Sequence, residues 1–133
     1  PNQEYHEPVI STDLLATFAA LADAPLPKTK LDSVNLLPYI QGDRQGSPHE
    51  FLYWRTGNKQ ALRMGDWKTV LEPGRKGSEK WQLYNLKSDL SESTDLASVK
   101  PEILKSLTDK WNAVNSEMLD PIYDPRKKPT PAR

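Results

Sequence analysis

Residues 60–97 read QALRMGDWKTVLEPGRKGSEKWQLYNLKSDLSESTDLA, and the reading of this stretch decides the fold. Gln60–Met64 and Trp67–Glu72 are strand-like runs on either side of Gly65-Asp66, a two-residue signal for a tight hairpin. In the second run Trp67, Thr69 and Leu71 point one way, and Lys68, Val70 and Glu72 the other. Pro73–Glu79, with two glycines, reads as the next hairpin loop. Lys80–Leu86 follows as a strand, with Trp81 and Leu83 on one face and Gln82 and Tyr84 on the other. Asn85–Thr94 is a polar, acidic corner.

The pattern extends outward in both directions. Upstream, Phe51-Leu-Tyr-Trp-Arg55 is an aromatic-rich strand closed by the turn Thr56-Gly57-Asn58-Lys59. Downstream, Pro101 followed by Glu102 signals a helix start, and the helix is expected to run to about Met118. Its apolar stripe is Ile103, Leu104, Leu107, Trp111, Val114 and Met118. Four short strands and one amphipathic helix predict an α+β fold: a small four-stranded antiparallel sheet packed by a C-terminal helix. Six of the eleven aromatics lie between Phe51 and Tyr84, so the core is expected on this sheet.

Farther upstream, residues 1–9 read as an extended lead-in. Ile10–Ala24 is a predicted helix with Ser11 or Thr12 as its cap and Asp13 in its first turn. Ile10, Leu14, Leu15, Phe18, Leu21 and Ala22 share one face, and Pro25 and Pro27 stop it. A short helical turn is expected around Leu36–Ile40, ended by Gly42. Asp43–Pro48 reads as a polar surface loop. Residues 120–133 hold Pro121, Pro125, Pro129 and Pro131 with Arg126, Lys127 and Lys128, and are expected to be extended.

Composition narrows the chemistry. The 133 residues carry 18 basic and 18 acidic groups, so nothing in the balance points to nucleic acid or an anionic membrane. Cys is absent, which removes disulfides, thiol nucleophiles and Cys-based metal sites. No apolar run reaches membrane-spanning length. A chain that begins on Pro is expected to be a processed product or an excised piece.

Each candidate site has a simpler structural reading. His6 and His49 lack a partner motif and read as loop histidines. Asp89, Glu92 and Asp95 can group around a hard cation, but their spacing suits turns and a helix start better. Gly74-Arg75-Lys76-Gly77 is basic and glycine-bounded without a phosphate-loop pattern. Trp67, Trp81 and Trp111 are expected to pack the sheet. Trp54 beside Arg55 is the best candidate for a sugar-stacking surface.

Taken together, the motifs resemble the C-terminal subdomain of the sulfatases, in the alkaline-phosphatase-like superfamily. Arg63-x-Gly65-Asp66-Trp67-Lys68 is followed by Trp81-x-Leu83-Tyr84-x-Leu86 and by Asp89-x-x-Glu92-x-x-Asp95-Leu96-Ala97. Glu7-Pro8-Val9 with Asp13-Leu14-Leu15-x-Thr17 is similar to an upstream family segment, as is Leu31–Pro38. Several positions depart from the pattern. Ala16 stands where Pro is common, Ser33 replaces Gly and Asn35 replaces Ser. Leu90 and Ser91 replace a Pro-Gly turn, and Asn85 and Asp95 stand for Asp and Asn.

The resemblance implies a division of the chain. Residues 1–30 would end a large α/β catalytic domain, 31–118 would form the small subdomain, and 119–133 a basic Pro-rich tail. It implies a parent enzyme that hydrolyses sulfate esters with formylglycine and calcium, on a sulfated small molecule or sulfated glycan. The formylglycine precursor motif C/S-x-P-x-R is not complete in this chain. Leu71–Arg75 and Pro129–Arg133 match only its P-x-R half. No catalytic residue or metal ligand therefore carries over, and the piece alone is expected to be inactive. His49, Trp54 and Arg55 are the candidates for the substrate-cleft rim. The expected partner is the N-terminal catalytic domain, with self-association through the first helix as a further possibility and no nucleic acid or membrane. A periplasmic or extracellular location is expected for the parent. An independent carbohydrate-binding module, or the end of a related phosphoesterase or phosphonate hydrolase, are the alternatives.

Overall fold

The structure is a computed structural model and describes residues 4–74 and 80–119. Its contacts divide the chain into two compact units between Glu50 and Phe51.

The first unit contains α1 (Asp13–Leu21) and the single-turn α2 (Leu37–Ile40). α1 starts later than its apolar spacing predicts. Residues 10–12 form a tighter turn, with the Asp13, Leu14 and Leu15 N–H groups donating to the carbonyls of Ile10, Ser11 and Thr12. The expected hydroxyl cap is not made, since Thr12 sits at the N-cap without a side-chain bond. The Asp13 carboxylate instead accepts the Ile10 N–H at 3.0 Å. At the other end the Ala24 N–H donates to the Ala19 carbonyl at 2.9 Å and the Asp23 N–H to that of Ala20 at 3.4 Å. Asp23 takes φ of 49°, the left-handed position that glycine usually fills in this terminator.

The second unit contains β1 (Leu52–Thr56), β2 (Lys59–Met64), β3 (Trp67–Leu71), β4 (Gln82–Asn85) and α3 (Pro101–Glu117). The sheet is an antiparallel meander in the order β1-β2-β3-β4. Thr56 pairs with Lys59 and Met64 with Trp67, leaving two-residue loops. Each loop opens with a glycine at positive φ, Gly57 at 58° and Gly65 at 54°, where a two-residue hairpin needs it.

Register then sets the core. Tyr53, Leu62, Thr69 and Leu83 stand opposite one another across the four strands. Leu62 and Leu83 are buried together with Leu107 and Trp111 of α3, and Phe51, Met64, Trp67, Trp81, Ile103 and Leu104 pack around them. Trp111 is flanked by Tyr53 and Trp81, each ring centroid 5.5 Å away. Each buried leucine contributes about 1.5–3 kcal/mol of hydrophobic stabilisation. The predicted α+β architecture is therefore the observed one.

Candidate functional site

Of the three sequence-derived rim residues, His49 lies in the first unit, and Trp54 and Arg55 lie on β1 in the second. His49 is held against α1. Its Nε2 is 2.8 Å from Asp13 Oδ2, and the two side chains are 11% and 0% exposed. The other Asp13 oxygen accepts the Val34 N–H at 3.0 Å. Burial pushes the Asp13 carboxyl upward. The Ile10 N–H, the His49 ring and the Val34 N–H outweigh that effect and hold it below its ordinary value.

The same helix is tied to 33–36 by two hydroxyls. The Thr17 hydroxyl donates to the Asp13 carbonyl at 2.7 Å and accepts the Leu36 N–H at 3.0 Å. Ser33 Oγ accepts the Ala16 N–H at 2.9 Å. This last contact links two departures from the family pattern. A proline at 16 would have no N–H, and a glycine at 33 no hydroxyl.

Trp54 and Arg55 do not form one patch. Neighbours on a strand face opposite sides of the sheet. Trp54 pairs with Ala61 on the side away from Leu62, and its side chain is partly exposed. Arg55 turns toward α3, where its guanidinium donates to Asn115 Oδ1 at 2.6 Å and to the Leu119 carbonyl. The Tyr53 hydroxyl donates to the same Asn115 oxygen at 2.9 Å. Sequence reasoning missed Asn115. Its one signal was its position four residues after Trp111, which puts it on the core-facing side of the helix.

The acidic corner is occupied by the protein itself. The Asp89 carboxylate accepts N–H bonds from Ser93 and Thr94 and the Ser93 hydroxyl, which hold it well below the usual carboxylate range. Glu92, at φ of 53°, pairs with Lys68 Nζ at 2.5 Å. Asp95 Oδ1 accepts from Leu83 N at 3.0 Å and Ala97 N at 2.9 Å. Asn85 Oδ1 likewise accepts the Lys87 N–H. At 85 and 95 the departures from the pattern keep a side-chain acceptor. Among the described residues no group of three His, Asp or Glu side chains is placed to hold a metal ion. No helix among them is long and apolar enough to cross a membrane. Arg75, Lys76 and Gly77 of the glycine-bounded loop, and the basic tail beyond Leu119, lie outside the described residues.

No protein-family model matches the chain. An uncharacterised sulfatase of Schizosaccharomyces pombe is 30% identical over 114 residues, covering 79% of this chain and 21% of that protein. Human arylsulfatase A is 32% identical over 130 residues, covering 77% of this chain and 25% of the enzyme. Among solved structures, Ps i-CgsB matches with a TM-score of 0.71 at 26% identity, over 89% of this chain and 26% of that one. It has also been solved in complex with k-i-k-neocarrahexaose. The chain thus spans about a quarter or less of the length of these proteins. Signature residues, sheet topology and relatives agree, and the chain belongs to the sulfatases as a C-terminal region of that family.

Proposed function

We propose that this chain serves a sulfate-ester hydrolase by stabilising its catalytic domain and shaping the rim of its substrate cleft. One observation carries the reading. α1 is anchored on one side by Asp13, Ala16 and Thr17, while Leu14, Leu15, Phe18 and Leu21 on its other side are 49–64% exposed. A run of large apolar side chains of this size needs a cover. The matched stretch is only 21–25% of the relatives' length, so in them there is further chain from which such a cover can come.

Formylglycine and calcium, which sulfatase chemistry uses, do not fit the residues here. The chain has no Cys and no complete C/S-x-P-x-R sequence, and Asp13, Asp89, Glu92 and Asp95 all spend their carboxylates on protein partners. The reaction belongs to the catalytic domain, and this chain acts on it through packing and positioning. On the rim we place Trp54, whose indole offers a flat apolar face to a substrate ring. His49 and Arg55 act as positioning residues within their own units, His49 through Asp13 and Arg55 through Asn115. The substrate class is a sulfated saccharide or aryl sulfate, and the working compartment periplasmic or extracellular.

The test uses the full-length enzyme. Leu14→Asp with Phe18→Asp is expected to abolish soluble, active enzyme. Full activity in that variant would remove the docking role. Trp54→Ala is expected to raise KM severalfold with little change in kcat, and unchanged kinetics would take Trp54 off the rim.

A further inference from the structure

The loop after α2 is folded into a small rigid platform. The Gly42 N–H donates to the Tyr39 carbonyl at 3.2 Å, and the Arg44 N–H reaches back to the Pro38 carbonyl at 2.9 Å. Gly42 and Gly46 stand at φ of 86° and 82°, a conformation side chains resist, so the loop's tight path depends on them. The Tyr5 hydroxyl donates to the Gly46 carbonyl at 2.9 Å and pins the far end. The result brings three side chains together. The Arg44 guanidinium lies 5.9 Å from the centroid of the Tyr39 ring. The Tyr5 and Tyr39 rings are 6.5 Å apart at 58°. Arg44 is exposed, and Gln41 and Gln45 flank it with exposed amides.

We propose that Tyr5, Tyr39 and Arg44, all in the first unit, form a docking platform for a sulfated saccharide. Half-buried phenol rings offer flat faces for the C–H face of a sugar ring. A planar guanidinium matches the paired oxygens of a sulfate, and amides serve hydroxyls. The Arg44 guanidinium lies over the Tyr39 ring at the outer range of a cation–π contact, which leaves its N–H groups for the ligand. Two carboxylates set the limits of the site. Glu7 lies two residues after Tyr5, and Asp43 precedes Arg44 in the loop. Binding of an anion therefore depends on Arg44, the one cation of the cluster. The ligand class rests on the sulfatase reading above, whereas the platform rests on its own geometry.

The experiment titrates the 133-residue chain with a sulfated galactan hexasaccharide and its desulfated counterpart, followed by backbone amide shifts. The sulfated form is expected to bind at least tenfold more tightly, with shifts centred on residues 37–46. Arg44→Gln should abolish that preference without changing the melting temperature. Tyr39→Ala should weaken both ligands, with Tyr5→Leu as the second variant if the short helix does not tolerate the change. Equal binding of both sugars by the native chain, or an undiminished preference in Arg44→Gln, would overturn the platform. Hydrolysis of a small aryl sulfate by the full-length enzyme, measured in parallel, tests the sulfatase reading alone. Activity there alongside no sugar binding here would reject only the platform.

Discussion

Each of the two units is stabilised internally by a different kind of interaction. In residues 51–119 an apolar layer between sheet and helix does the work, with Leu62, Leu83, Leu107 and Trp111 removed from water. Among the described residues 4–50 the one large apolar side chain that is buried is Leu36. There, side-chain oxygens of Asp13, Thr17 and Ser33 accept backbone N–H groups and fix α1 to the segment after it. The apolar side of α1 faces outward. Apolar burial is non-directional and tolerant, whereas hydrogen-bonded crosslinks need exact partners and fail when one is lost. The first unit should therefore be brittle, and the second forgiving.

The strongest way to break the contrast is at the centre of the second unit. Trp111→Ala removes the ring between Tyr53 and Trp81 and should cost about 3–5 kcal/mol. All four tryptophans lie after residue 50, so their fluorescence in urea reports this unit. A loss below about 1 kcal/mol would mean that the layer is not what holds it.

Asp13→Ala comes next. It strands the Ile10 and Val34 N–H groups and the His49 ring, for an expected loss of about 3 kcal/mol confined to residues 4–50. Amide exchange at Ile10, Val34 and Leu36 measures it. Uniform protection after the substitution would contradict the crosslink account.

Acid should act on the same unit. The folded Asp13 carboxyl titrates below its ordinary value of 3.8, so the unfolded chain takes up the proton first. The stabilisation is complete above pH about 4 and is lost as pH falls through the lower, folded value. Exchange at Val34 should accelerate on acidification below that point, and Asp13→Asn should remove the dependence.

The smallest effect is a gain. Asp23 holds the left-handed terminator of α1 at a steric cost that glycine avoids. Asp23→Gly should stabilise the helix end by up to about 1 kcal/mol, read as a higher melting temperature.

Much of this was legible in the chain. Alternation and Gly65-Asp66 specify β2, β3 and their turn locally, so the predicted strands match the observed ones within a few residues. Pro101 with Glu102 marks the start of α3, and its stripe supplies Leu107 and Trp111 to the core. The observed start of α1 is later than expected because Ile10 extends the apolar stripe in sequence, whereas the backbone at 10–12 follows the tighter turn that the Asp13 carboxylate stabilises. Among the rim candidates, the adjacency of Trp54 and Arg55 suggested one surface. The two-residue period of a strand separates them instead.

What the sequence determined by itself is what nearest neighbours along the chain control: hairpin turns, strand alternation, the helix stripe and the family signature. Tertiary structure decided which polar atoms meet. Only folding brings Asp13 to His49 and Val34, Arg55 to Asn115, and Lys68 to Glu92. It likewise shows that Ala16 and Ser33, two separate departures in the sequence, form one hydrogen bond. The physical reason is directionality. Apolar burial needs only the right pattern on a face, whereas a hydrogen bond needs two particular atoms at about 3 Å, which sequence spacing does not encode.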